Sequence, residues 1–228
     1  MADSQRLRTT PDGLRLVSAV AAELAARGDG HTSVLAATTY FPMDVDSIAR
    51  VFEGLEQLDG VERLQRGPLT VYRIDNPDRF TDKAPPIDDP AFFDEAAGLR
   101  KAVADLKRDA DWERRVRGQH ELLRIIAASD ETELELSYLT SRASMSRAKV
   151  QSLLNDFDAQ GYISVDVDEE VDAVTYQFPV IDYPESRHDR NMQQLEAVEP
   201  PARSRTSPWF ILAAFAVVVL IVVILLRF

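Results

Sequence analysis

The chain has no cysteine in its 228 residues, which excludes disulfides and thiolate chemistry and leaves the redox compartment open. Lysine is scarce: only Lys83, Lys101, Lys107 and Lys149 contribute to the 26 basic side chains, against 38 acidic ones and a net charge of −12. That balance excludes an all-over basic nucleic-acid footprint, while a local basic patch stays compatible with it. Aspartate outnumbers glutamate 23 to 15, a bias that fits a GC-rich or salt-adapted source. No phosphate-cradling G-x-x-x-x-G-K-[ST], no G-x-G-x-x-G, no H-E-x-x-H and no G-x-S-x-G occurs. The three histidines, His31, His120 and His188, fall in separate segments, and no carboxylate pair stands in an apolar context that would raise a pKa. Neither catalysis nor a cofactor is expected.

What the chain does have is one long apolar run. Trp209 to Leu226 is 18 consecutive apolar residues without glycine, proline or charge. At ~1.5 Å per residue such a helix spans about 27 Å, close to the roughly 30 Å hydrocarbon thickness of a bilayer. Ser207 and Pro208 supply an N-cap and a first-turn proline, and Trp209 and Phe228 suit the interfaces. A transmembrane helix is therefore expected over 208–227. Only Arg227 and Phe228 follow the run, an arrangement similar to that of tail-anchored proteins. The N-terminus lacks the apolar core of a signal peptide. Arg203 and Arg205 before the run, against Arg227 after it, predict a cytoplasmic N-terminal body at the cell membrane. The polar stretch 184–207 reads as a tether of flexible chain, with a reach of about 25–30 Å.

The body splits into two similar patterns. Leu14 to Arg27 repeats apolar residues at helical spacing, Thr32 to Thr39 is a short helix, and Asp44 caps a third helix carrying Ile48, Val51, Phe52, Leu55 and Leu58. Gly60 stops that helix, and Val61 to Leu64 and Leu69 to Ile74 follow as a hairpin around Arg66-Gly67-Pro68. The order recurs in helices over Val116 to Ala128 and Leu136 to Arg142, then a third helix capped by Ser144 or Ser146. Gly161 ends it, and a hairpin over Tyr162 to Val167 and Val174 to Phe178 completes the copy. A fixed offset of 102 brings Thr38 onto Thr140, Met43 onto Met145, Ile48 onto Val150, Phe52 onto Leu154 and Val61 onto Ile163. These are core positions, the mark of a shared scaffold.

Three helices and a hairpin, with glycine after the third helix and Tyr72-Arg73-Ile74 or Tyr176-Gln177-Phe178 closing the last strand, resemble the tandem winged-helix (winged helix-turn-helix) superfamily. The expected fold is mainly α with small β-hairpins, an α+β chain. Its parts are winged-helix-like domain 1 over 12–77, a loop and connecting helix over 78–111, and winged-helix-like domain 2 over 112–183. The resemblance implies a third helix able to enter a DNA groove and a wing able to touch backbone, or the use of both as protein-binding modules. Phe92, Ala96, Leu99, Val103, Leu106 and Ala110 alternate steps of four and three, which suits either a connector packed on its own chain or a homodimer seam.

Charge decides between the two uses. Residues 12–77 hold 6 bases and 10 acids, and the first third helix sets Asp44, Asp46, Glu53, Glu56 and Asp59 against Arg50 alone. Residues 112–183 hold 7 bases and 14 acids. There Arg142, Ser146, Arg147, Lys149 and Gln151 form a candidate DNA-binding set, but the wing carries Asp166, Asp168, Glu169, Glu170 and Asp172. The wing is no calcium loop, because Val171 and Gln177 stand where glycine and glutamate are needed, and no metal is expected. The reading is a membrane-anchored adaptor for a protein partner, with Asp46, Arg50, Glu53, Asp168, Glu169, Glu170 and Asp172 as contact candidates. A membrane-tethered DNA-binding regulator is the alternative.

Overall fold

In the computed structural model, residues 11–82, 84–107, 110–168 and 173–197 are described. Nine helices and two three-stranded sheets occur among them. The first half runs α1 (Pro11–Arg27), β1 (His31–Thr32), α2 (Val34–Thr38), α3 (Val45–Leu55), β2 (Val61–Arg66) and β3 (Leu69–Ile74). A short α4 (Asp78–Thr81) and a long α5 (Pro90–Lys107) lead to the second half. There the same order returns as α6 (Ala110–Ala127), β4 (Glu133–Glu135), α7 (Leu136–Arg142), α8 (Arg147–Ala159), β5 (Ser164–Asp168) and β6 (Ala173–Gln177), followed by α9 (Glu185–Ala197).

The two sheets have matching topologies, β1-β3-β2 and β4-β6-β5, antiparallel throughout. The expected hairpins are thus three-stranded. The added strands are two and three residues long, too short to show a period in sequence. The central strand β3 is buried at Thr70, Val71, Tyr72 and Ile74, on both faces, while β2 is largely exposed. Phe52 of α3 meets Tyr72 edge to face with ring centroids 4.6 Å apart, which seats the helix on its sheet.

One contiguous hydrophobic core runs through both halves, from Leu16 and Val20 on α1 to Leu153, Phe157 and Tyr176 in the second half. The connecting helix belongs to that core. Phe92, Ala96 and Leu99 of α5 are buried within the chain, and Phe92 lies 5.7 Å from Phe41 between centroids. The loop expected between the halves contains α4, whose Phe80 is buried at 5% exposure and holds the turn against the body.

Polar groups tie the halves together where they meet. Asp44 caps α3 by accepting from Ser47 N at 3.0 Å, and the Ser47 hydroxyl and the Trp112 indole N–H of α6 also donate to its carboxyl, at 2.6 and 2.5 Å. Gln119 of α6 accepts from Val45 N at 3.0 Å. From β3, Thr70 N donates to Gly161 O at 2.8 Å. Gly161 has φ +71°, and an added Cβ would stand 3.0 Å from the Thr70 hydroxyl, so this corner requires glycine for both conformation and approach.

The stretch 184–207, expected to be a flexible tether, begins instead with a docked helix. Asn191 of α9 donates to Thr39 O at 2.9 Å and to the Tyr183 hydroxyl at 3.0 Å, and Gln194 donates to Phe93 O at 3.2 Å. Leu195 is fully buried, and Arg187 and Arg190 lie over the rings of Tyr40 and Phe93 at 3.7 and 3.5 Å. Low mean hydropathy had hidden this helix, because its anchors are an amide and guanidinium stems. Among the described residues no helix is long and apolar enough to cross a membrane. The run Trp209–Leu226, and with it the expected span over 208–227, lies outside them.

His120 of α6 completes the junction. Fully buried, its Nε2 donates to Met43 O at 2.9 Å, and its Nδ1 accepts from the Tyr183 hydroxyl at 2.7 Å. Burial pushes its pKa down to about 4. The unfolded chain then takes up a proton near pH 6.5 that the folded chain refuses, so stability present above pH 6.5 falls away down to about pH 4. This single group is expected to remove about 3 kcal/mol across that window. Urea titrations from pH 7 to 4 should show a shallower loss for His120→Asn than for the native chain. Asp44→Ala, which strips three donors of one buried acceptor, should cost about 2–4 kcal/mol in the same titration at pH 7.

Candidate functional site

The second third helix, α8, offers the most open polar surface. Ser146 caps it by accepting from Lys149 N, and Val150, Leu153, Leu154 and Phe157 bury one face. That leaves Arg147, Lys149, Gln151 and Ser152 exposed around the first two turns. Arg142, at the end of α7, is exposed and stacks over the Tyr138 ring at 3.7 Å. All five residues expected from sequence as a DNA-binding set are exposed, with Arg147 and Gln151 on one flank of α8 and Lys149 on the other. The Ser146 hydroxyl, however, is engaged by the cap.

Carboxylates are spread over several elements of this half. Glu121 of α6 accepts from both the backbone N–H and the hydroxyl of Ser144, in the loop that leads into α8. A recess of about 740 Å³ beside α7 is lined by Glu131, Glu133 and Glu135 together with Tyr138 and Thr175. Asp111 stands within electrostatic reach of Lys149, and its carboxyl is held below the usual range chiefly by a hydrogen bond from Arg114. On the β5 edge Asp166 is exposed, with Val165 and Val167 beside it at 39% and 56% exposure. Asp168 ends β5, while Glu169, Glu170 and Asp172 at the wing tip lie outside the described residues.

The first third helix is used differently. Val45, Ser47, Ile48, Ala49, Val51, Phe52 and Leu55 of α3 are all buried. Asp46 is half-buried and accepts from Gln160 of the second half at 3.2 Å, and Arg50 is half-buried as well. Only Glu53 of the three candidate contact residues on α3 is exposed. Asp46 and Glu53 also act on Tyr162, whose hydroxyl is pushed up to about 12 by burial first and these carboxylates second. The face of α3 carrying Asp46 is thus committed inside the chain.

A signal for this difference was present in the repeat. At the offset of 102, Val45 and Ala49 of α3 correspond to Arg147 and Gln151 of α8. Apolar residues in one copy and polar ones in the other, at matching positions, mark which third helix is covered. The junction residues Asp44, Trp112, Gln119 and His120 carry no such signal, because each is an ordinary polar or aromatic residue on a helix or its cap. Among the described residues no group of three or more acids or histidines is arranged to hold a metal ion. Comparison of the chain with protein-family models, with curated proteins and with solved structures found no match.

The two third helices should respond oppositely to an exchange of residues. Val45→Arg with Ala49→Gln buries polar groups without partners and should cost at least about 3 kcal/mol in a urea titration. Arg147→Val with Gln151→Ala changes an exposed face and should stay within about 1 kcal/mol of the native chain. Equal effects would mean that α3 is no more covered than α8.

Proposed function

We propose that the chain is a membrane-anchored adaptor of two winged-helix units, held to the membrane by the run Trp209–Leu226, that binds a protein partner on the cytoplasmic side. The repeated order helix, strand, helix, helix, strand, strand, with matching sheets, supports the winged-helix reading. The observation that carries the function is the acidic setting of α8. Its exposed Arg147, Lys149 and Gln151 belong to a half with 7 bases and 14 acids, where Glu121 holds the loop into α8 through Ser144 and Asp111 stands within electrostatic reach of Lys149. Duplex DNA brought to this helix would press its phosphates against those carboxylates. A protein surface of mixed charge meets no such penalty, and alternating sign selects its register. The burial of α3 supports the same reading, since tandem groove insertion needs both third helices free and only one of them is.

The docked α9 changes the anchoring. Eleven residues, 198–208, separate it from the apolar run, about half the length of chain that the sequence reading left between body and run. The described part of the α5 seam is buried in its own chain, which supports a connector over a homodimer seam.

A second reading, a membrane-tethered DNA-binding regulator, is favoured by the exposure of Arg147, Lys149 and Gln151 alone. The full chain in lipid nanodiscs, titrated against a labelled random-sequence duplex at low and moderate salt, separates the two. The adaptor reading expects no saturable anisotropy change at micromolar protein, even at low salt where electrostatics are most generous. Binding that weakens steeply with salt and disappears in Arg147→Glu/Lys149→Glu would replace it with the regulator.

A further inference from the structure

β5 is an outer strand of its sheet. It pairs with β6 alone, and among the described residues no other backbone hydrogen bond reaches it. An edge strand turns the N–H and C=O of every second residue outward, where another chain can pair with them. The side chains along this edge alternate in kind. Val165 stands opposite Tyr176, which is buried at 2% exposure, and Val167 stands opposite Val174, so the valine face continues the core-facing side of the sheet. That face runs out into water at the edge, where Val165 and Val167 are both exposed. Asp166 lies on the other face and is exposed as well.

The edge carries charge of one sign. From Ser164 to Tyr176 the chain has Asp166, Asp168, Glu169, Glu170 and Asp172 and no base. A second copy of this chain is a poor occupant, because two β5 edges laid together set aspartates against aspartates. Nucleic-acid phosphates are repelled by the same charge. The outer strand of the other sheet, β2, is different: its charges are of both signs, with Glu62 paired to Arg73 and Arg66 to Asp29. What suits β5 is a strand that is apolar on one face and basic on the other. Its apolar side chains meet Val165 and Val167, its cations meet the acids, and its backbone takes up the outward groups.

We infer that the outer edge of β5 is where the protein partner docks, and that the partner supplies an extended segment of alternating basic and apolar residues, which adds to the sheet as a fourth strand. The inference rests on the adaptor reading and names the chemistry of its partner.

The test is fluorescence anisotropy of a labelled peptide, Lys-Val-Lys-Val-Lys-Val-Lys, titrated with the full chain in phosphatidylcholine nanodiscs, with empty nanodiscs as baseline. Saturable binding is expected, at least about fivefold tighter than that of Lys-Lys-Val-Val-Val-Lys-Lys, which has the same charge and composition. Methylating the peptide's amide nitrogens keeps its side chains and removes its donors, and should weaken binding at least about tenfold. Asp166→Asn/Val167→Ser changes two exposed side chains that folding does not require, and should weaken it about fivefold. No binding by the alternating peptide, equal binding by the two peptides, or native affinity after either change overturns the β5 site. The duplex titration keeps the two readings apart. With no duplex bound, those results leave the adaptor without this site, whereas salt-sensitive duplex binding lost in Arg147→Glu/Lys149→Glu removes the adaptor reading itself.

Discussion

The Asp44 carboxyl is the constraint on which the arrangement of the two halves rests. It is fully buried, and a buried carboxyl is tolerable only when its lone pairs are met. Two of its donors come from the start of the helix it caps, and the third, the Trp112 indole, comes from α6 of the other half. Capping α3 and joining the halves are therefore one act of satisfaction. Around it Val45 N finds Gln119, and Met43 O finds His120, so the N-terminal approach to α3 is saturated by α6. The apolar burial of α3 follows from this placement: once its start is fixed against α6, its Val45 and Ala49 positions lose their access to water.

Duplication with unequal use is the theme of the chain. The same offset places Asp44 and Ser146 at the caps of the two third helices, yet the first is fully buried and the second is exposed. In the first half the third helix is a buried platform, and in the second it keeps an exposed face. The corner at Gly161 makes the platform fit, since its carbonyl completes the hydrogen bonding of β3 while its missing side chain admits Thr70.

Much of this was legible before any coordinates. The third helices were marked by Asp44, by Ser144 or Ser146, and by apolar residues at helical spacing, and β2 and β3 by Arg66-Gly67-Pro68 between alternating runs. The candidate set on α8 was legible because basic and amide residues cluster at a helix start. Two kinds of feature were not. The strands β1 and β4 are shorter than a period, and α9 is anchored by Asn191, Arg187 and Arg190, residue types whose ordinary place is in water. A groove of about 820 Å³ between the halves was invisible for a different reason: its lining residues are scattered from Leu24 to Asp182, and only the meeting of two copies assembles them. Local pattern reports what a segment does with its neighbours in sequence, and the junction is made almost wholly of contacts across more than sixty residues.

Arg187 rests on the ring of Tyr40, and Tyr40 is itself one of the walls of the groove. The helix that leads toward the apolar run and the cavity between the halves thus share a side chain. A substitution at Tyr40 would therefore act in two places at once, on the seat of α9 and on the wall of the groove.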